Sequence, residues 1–174
     1  MELTIRLAIH RGLPALLSLL GAALLGALLT SCSDDDTTGP PPEEPLFPAD
    51  YLTSFTEVRD IRLSNNHDGS AANVNAVRVH CSPEAADEYT NEIYPLPLGS
   101  IVVKTEYADL TGSVIRGYTV MMKGPAGTAP ASRDWIWQEV DADRRVLQTG
   151  QLSTCIQCHT TNSDCTEELF CTLP

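Results

Sequence analysis

A strand that leads directly into a helix is encoded in residues 76–84, Ala76-Val77-Arg78-Val79-His80-Cys81-Ser82-Pro83-Glu84. The first six residues alternate between apolar and polar side chains, which is typical of a strand. Ser82 then fits a helix N-cap, with proline and an acidic residue in the first turn. We predict a helix from this point to about Glu92, ended by the prolines that follow.

Four further strands are predicted after this helix. They cover Ile101–Tyr107, Val114–Lys123, Trp135–Val140 and Arg145–Thr149, and alternation places Trp135 and Trp137 on one face. We also predict an N-terminal helix over Tyr51–Leu63 and a short helix or loop before residue 155. The fold class is therefore mainly β (α+β), with an antiparallel sheet and one or two helices.

The clearest functional motif is Cys155-Ile156-Gln157-Cys158-His159, the pattern Cys-x-x-Cys-His. This spacing lets two thiols be joined to the vinyl groups of one haem while the histidine ligates its iron. It predicts haem c bound through Cys155 and Cys158, with His159 as the iron ligand. The cysteines could instead form a redox dithiol, or half of a zinc site completed by Cys165 and Cys171.

The N-terminus has the pattern of an export signal, which favours the haem interpretation. Arg6 and Arg11 precede an apolar run of about 17 residues, at the short limit for crossing a membrane. Residues 29–32, Leu-Thr-Ser-Cys, resemble the bacterial lipobox, which implies cleavage after residue 31 and lipid attachment to Cys32. An ordinary signal peptide or an N-terminal transmembrane helix is the alternative. We expect a lipoprotein on the periplasmic side of the cell envelope, in either membrane.

The mature chain divides into a tether and one domain. Residues 32–48 carry three consecutive aspartates and five prolines, which keep a segment extended. Residues 49–174 are predicted to form a single domain. Without residues 1–31 the chain has 9 Lys and Arg residues and 22 Asp and Glu residues, which gives a formal charge of −13. This charge excludes nucleic acid as a partner and suits a basic redox protein or a small neutral or cationic ligand.

The remaining cysteines are Cys81, Cys165 and Cys171. An oxidising compartment predicts one disulfide among these three and one remaining thiol, with the pairing left open. A homodimer is also left open.

The order of these motifs resembles the cytochrome P-460 family, which includes the cytochromes c-prime-beta. The similarity covers about Tyr51 to His159. It rests on residues 99–104, Gly-Ser-Ile-Val-Val-Lys, and residues 134–137, Asp-Trp-Ile-Trp, ahead of the haem motif. The resemblance implies a β-rich fold packed over one face of a pentacoordinate haem c, with His159 as proximal ligand.

The resemblance also implies roles for Lys104 and Arg78. In hydroxylamine-oxidising members, a lysine in the position of Lys104 is covalently joined to the haem edge. The c-prime-beta members lack this link and bind nitric oxide and carbon monoxide in an apolar pocket. Arg78 matches a position near the distal pocket, where it could hydrogen-bond a nitrogen oxide or a haem propionate. The alternatives are an exposed strand arginine and, for Lys104, a solvated charge or a surface pair with Glu106.

We therefore expect a haem protein that handles small nitrogen species at an open iron site, by hydroxylamine oxidation or nitric oxide binding, and leave open whether it is an enzyme. One alternative is a six-coordinate electron-transfer cytochrome, with Met121, Met122, His67 or His80 as sixth ligand. Another is a zinc-bound or disulfide-stapled binding module. After residue 159 the chain departs from the family pattern, because residues 164–171 contain two additional cysteines.

Overall fold

The computed structural model describes residues 43–64 and 73–161. In these ranges six strands form one antiparallel sheet, and their order across the sheet is their order along the chain. The strands are β1 Thr56–Leu63, β2 Ala76–Cys81, β3 Ile101–Tyr107, β4 Ile115–Lys123, β5 Trp135–Asp141 and β6 Val146–Gly150. The helices are α1 Tyr51–Ser54, α2 Pro83–Thr90 and α3 Ser153–Thr161, with a 3-10 turn at Pro130–Ser132.

The predicted mainly β (α+β) class with an antiparallel sheet is confirmed. β2 and β3 have the predicted bounds, β4 and β5 differ from the prediction by one residue at one end, and β6 is displaced by one residue at both ends. The described ranges contain three helices rather than one or two. None of these helices has the length and apolar character that crossing a bilayer requires.

The predicted helix over Tyr51–Leu63 is wrong. Only Tyr51–Ser54 is helical, and Thr56–Leu63 forms β1, which pairs antiparallel with β2. The segment contains the β-branched residues Thr56, Val58 and Ile61, which favour a strand once a partner strand is available. Tertiary pairing with β2 therefore decided the conformation of a segment with weak local preferences.

The two faces of the sheet are covered by different parts of the chain. On one face, here called the helical face, α2 and α3 pack on a core formed by Val79, Cys81, Val102, Met121, Trp135 and Trp137. On the opposite face, residues 46–55 pack on Val103, Tyr118, Val120 and Val140. Because side chains alternate along a strand, β3, β4 and β5 each contribute to both cores.

The folded domain begins earlier than predicted. Phe47 is 2% exposed, and its ring lies 5.1 Å from that of Tyr51. The Leu46 N–H donates to Oε1 of Gln138 over 2.8 Å, and Nη2 of Arg144 donates to the Phe47 carbonyl over 2.8 Å. The last residues of the predicted 32–48 tether therefore belong to the domain. Acidic and proline neighbours hide this apolar pair in the sequence.

The start of α2 matches the prediction in position but differs in its capping. Ser82 makes no side-chain cap, because its Oγ accepts the N–H of Ile101 at the start of β3 over 2.9 Å. The Ser82 carbonyl accepts the N–H of Ala85 over 2.9 Å. The serine thus joins the helix start to the sheet, and Glu84 lies in the first turn as predicted.

Candidate functional site

The Cys-x-x-Cys-His motif lies on α3, which packs against the helical face. Its two cysteines are three residues apart and His159 is four residues after Cys155, so all three belong to one turn of the helix. Cys155 is half-buried against the core of the helical face, whereas Cys158 is exposed. His159 is half-buried. The sequence motif is therefore presented on a regular helix that is anchored to the sheet on the side of Cys155.

The imidazole of His159 packs against the indole of Trp137. The ring centroids lie 4.6 Å apart with an interplanar angle of 67°, an edge-to-face arrangement. Trp137 belongs to β5 and is fully buried. Edge-to-face contact is a favourable geometry for aromatic rings and fixes their relative orientation.

The thiol of Cys155 lies beside a carboxylate. Its Sγ is 4.0 Å from Oε1 of Glu139 on β5. Burial and, to a smaller extent, the Glu139 carboxylate raise the pKa of the Cys155 thiol to about 11, and Lys104 opposes the shift. A redox dithiol requires a depressed thiol pKa, because the thiolate is the nucleophile. Cys155 therefore does not supply the reactive thiolate of such a pair.

Lys104 lies on the helical face, in a row of residues that crosses the sheet. Across β2 to β6 the register aligns Val79, Lys104, Thr119, Glu139 and Gln148. Residues in register share a face, so this row places Lys104 and Glu139 on the side covered by α3. The structure thus brings together the predicted Lys104 and the haem-motif helix.

Lys104 is paired with a carboxylate that is fully buried. Its Nζ lies 3.3 Å from Oε1 of Glu106, and the Thr119 hydroxyl donates to the same oxygen over 2.7 Å. The Glu106 side chain is 0% exposed and that of Lys104 is 20% exposed. Oε2 of Glu106 has no hydrogen-bond partner among the described residues. The pair with Glu106 was anticipated from the sequence, but as a surface pair, and its burial is a correction.

Arg78 lies on the opposite face of the sheet. It is in register with Thr105, one residue away from Lys104, so the two side chains point to different sides. Its Nε lies 3.7 Å from Glu57 and its Nη2 lies 3.5 Å from Asp60. The structure therefore does not bring Arg78 together with Lys104 and α3, and Arg78 instead forms ion pairs beside β1.

The candidate sixth ligands also divide between the two faces. Met121 is in register with Trp137 on the helical face, where it is buried. Met122 follows it and points to the other side. His80 lies on that other side as well, 2% exposed, with its ring 5.3 Å from that of Tyr51. Of the candidates within residues 43–64 and 73–161, only Met121 therefore shares a face with His159.

Other predicted site residues lie outside the described residues: the lipid site Cys32, the candidate ligand His67, and Cys165 and Cys171. Cys81 is a buried thiol, and burial raises its pKa to about 12. Among the residues that the structure describes, no group of three or more His, Cys, Asp or Glu side chains could hold a metal ion. Haem needs no such group, because one histidine supplies the protein ligand to the iron.

The donors and acceptors of the helical face fit a bound haem. Cys155, Cys158 and His159 lie on one turn of α3. Buried polar atoms on this face that lack hydrogen-bond partners among the described residues include Oε2 of Glu106 and Nε1 of Trp137. Buried polar groups are normally satisfied, so unsatisfied ones are compatible with a bound group that supplies their partners.

Sequence reasoning missed Glu139 and the burial of Glu106. Strand alternation offered a signal for both, since Glu139 shares a face with Trp135 and Trp137, and Glu106 shares one with Lys104.

Comparisons with protein-family models, with curated proteins and with solved structures found no match to this chain.

Proposed function

We propose that this chain is a c-type cytochrome of the cytochrome P-460 type, which handles small nitrogen species at an open iron site. Cys155 and Cys158 would carry the haem through thioethers, and His159 would ligate the iron. One observation carries the proposal: Lys104 on β3 and the motif helix α3 share one face of the sheet. Of the two residues to which the resemblance assigns a role beside the haem, Lys104 thus lies on the side of the motif helix and Arg78 does not.

A bound haem would supply redox-active iron able to bind hydroxylamine or nitric oxide. The protein's residues would hold and surround it. α3 presents both thiols and the imidazole together, and Trp137 supports the imidazole from the sheet. Lys104, Glu106 and Glu139 supply charge beside this helix, and Thr119 holds the Glu106 carboxylate. Together these side chains form the polar part of the helical face.

The environment of Cys155 favours thioether attachment over the redox-dithiol alternative. Its thiol pKa of about 11 keeps the sulfur protonated at neutral pH. A thioether to a haem vinyl group consumes a thiol without requiring later thiolate chemistry. Positive charges beside a dithiol lower the thiol pKa and so make disulfide exchange faster. The group beside the Cys155 sulfur is instead the negatively charged carboxylate of Glu139, 4.0 Å away.

An electron-transfer cytochrome is the second candidate, and Met121 is the observation that favours it. Met121 is in register with Trp137, whose ring contacts His159. Against this alternative, Met121 is 5% exposed and packs within the core beside Val102 and Trp137, as methionine commonly does. Binding of carbon monoxide to the reduced iron separates the two functions.

The choice between hydroxylamine oxidation and nitric oxide binding depends on Lys104. A covalent link to the haem edge would alter the shape and electronics of the macrocycle, as the family resemblance implies. Without the link, the same open iron would bind nitric oxide. Lys104 is one of only two lysines in the chain, so a link can be tested without ambiguity.

We further propose that the domain is held on the periplasmic side of the envelope by lipid on Cys32. The acidic surface suits a basic redox partner and disfavours nucleic acid.

The test is expression of the full chain in a bacterium that attaches haem c, followed by mass measurement of the denatured protein. We expect a gain of one haem in wild type and in Cys81→Ala. The double variant Cys155→Ala/Cys158→Ala should show no gain of haem mass. Zinc without iron in the wild-type protein would contradict the proposal and support the zinc-bound module.

A further inference from the structure

The contact between His159 and Trp137 joins the candidate iron ligand to the rigid part of the molecule. His159 lies on α3, a nine-residue helix, whereas Trp137 lies on β5, which is hydrogen-bonded on both sides within a six-stranded sheet. Their rings are 4.6 Å apart and inclined by 67°. A change in the indole would therefore be transmitted directly to the imidazole.

Trp137 is itself held firmly. It is 0% exposed, and its register neighbour on β4 is Met121, which packs in the same core. On the other side its register neighbour is Gly150, which contributes no side chain. At this register position β6 therefore places no side chain beside the indole. β6 ends at Gly150, shortly before the start of α3.

The contact between Trp137 and His159 is made by the two rings, and no described residue accepts a hydrogen bond from the indole N–H. The edge-to-face contact depends on ring shape and on the quadrupole of the π-system, which a phenyl ring partly reproduces. A smaller aromatic side chain should therefore keep part of the effect, and an aliphatic side chain should keep none.

We propose that Trp137 is a positioning residue for His159: it fixes the plane of the imidazole and so sets how strongly His159 binds haem iron. The proposal rests on the proposed function, because it requires His159 to be the iron ligand. Outer groups that orient a metal-ligating histidine tune the bound metal, and their loss typically changes metal affinity or activity by 10–100-fold. Trp137 would act in this way through packing.

The experiment compares Trp137→Leu, Trp137→Phe and the control Trp135→Phe in the full-length haem-loaded protein. Trp135 is equally buried in the same core and lies two residues away on the same face. Three quantities are measured: haem per chain, the iron–histidine stretching frequency of the reduced protein, and the Kd for carbon monoxide. We expect equal haem content in all variants, since the thioethers are unaffected.

Trp137→Leu should shift the stretching frequency and change the carbon monoxide Kd by about 10-fold. Trp137→Phe should change it by roughly threefold, because part of the contact remains. Trp135→Phe should match wild type. An unchanged frequency and Kd in haem-loaded Trp137→Leu, or an equal change in Trp135→Phe, would overturn the proposal.

If Trp137→Leu does not fold, the test is the comparison of Trp137→Phe with Trp135→Phe. A larger change in the stretching frequency and the carbon monoxide Kd of Trp137→Phe supports the proposal, and equal changes in the two variants overturn it. Failure of the proposed function has a different signature. A wild-type protein without covalent haem removes both proposals. A haem-loaded wild type whose Trp137 variants behave like the control removes only this one.

Discussion

Nζ of Lys104 lies 3.3 Å from Oε1 of Glu106, a carboxylate whose side chain is fully buried on the helical face of the sheet. Burying a carboxylate costs free energy unless a partner charge and hydrogen bonds compensate. Lys104 supplies the charge and the Thr119 hydroxyl supplies a hydrogen bond. The lysine that the family resemblance identifies therefore also has a structural partner, and the two roles can be separated by substitution.

Glu106→Gln should lower the free energy of unfolding by about 1–3 kcal/mol, because it removes a charged hydrogen-bond acceptor inside the protein. The matched control is Glu139→Gln, which replaces a half-buried carboxylate on the same face. We expect a loss of less than about 1 kcal/mol for the control. Urea unfolding of the haem-loaded proteins measures both, and equal losses would argue that the buried pair contributes nothing specific.

Lys104→Arg should keep the charge beside Glu106 but remove the only amine that could be joined to haem at this position. If Lys104 is linked, this variant loses the red-shifted haem spectrum and the mass of the haem peptide changes, while Lys123→Arg leaves both unchanged. Lys123 is a suitable control because it is the other lysine of the chain and its Nζ donates to the Arg133 carbonyl over 2.9 Å. Identical spectra for wild type and Lys104→Arg would exclude the link.

His80 should make the protein less stable as the pH falls. Burial, reinforced by the nearby Arg78, lowers the folded-state pKa of His80 from 6.5, with Glu57 opposing. As the pH falls below 6.5, His80 takes up a proton more readily in the unfolded chain than in the folded one. The free energy of unfolding therefore declines as the pH falls through 6.5. Stability curves between about pH 7.5 and 5.5 should therefore be flatter in His80→Gln than in wild type. Glu57→Gln should steepen the decline, and parallel curves for all three proteins would contradict the account.

Cys155 should be slow to alkylate in haem-free, reduced protein. Burial and Glu139 raise its thiol pKa to about 11, so at pH 8 its thiolate fraction is on the order of 100-fold below that of an ordinary thiol. Exposed Cys158 should be labelled first and buried Cys81 last. Mass analysis of iodoacetamide-labelled peptides follows all three, and Glu139→Gln should accelerate labelling of Cys155. Faster labelling of Cys155 than of Cys158 would restore the redox-dithiol interpretation.

Much of the fold could be predicted because five of the six strands have strong local signals. Alternation in residues 76–81 and 101–107 gave the bounds of β2 and β3 directly. β1 was missed because the charged residues of 57–62 give a weak strand signal, and pairing with β2 determines its conformation. Leu46 and Phe47 were missed because their burial depends on Gln138 and Arg144, which are distant in sequence.

The candidate site could be predicted only in part for a similar reason. A motif within five consecutive residues gave Cys155, Cys158 and His159, but which face of the sheet they approach depends on strand register. Register separates Lys104 from Arg78 although both were assigned to the same site. It also aligns Glu139 with Lys104 through Thr119, a relation that spans three strands and has no local signature.

The central proposal is that the helical face would hold a covalent haem, with His159 as an iron ligand and one coordination position left open. The most direct measurement is the optical spectrum of the reduced, haem-loaded protein with and without carbon monoxide. The account predicts a high-spin spectrum that shifts on adding carbon monoxide, with a Soret band far to the red if Lys104 is linked. A low-spin spectrum that carbon monoxide leaves unchanged would contradict it and identify a six-coordinate electron-transfer cytochrome.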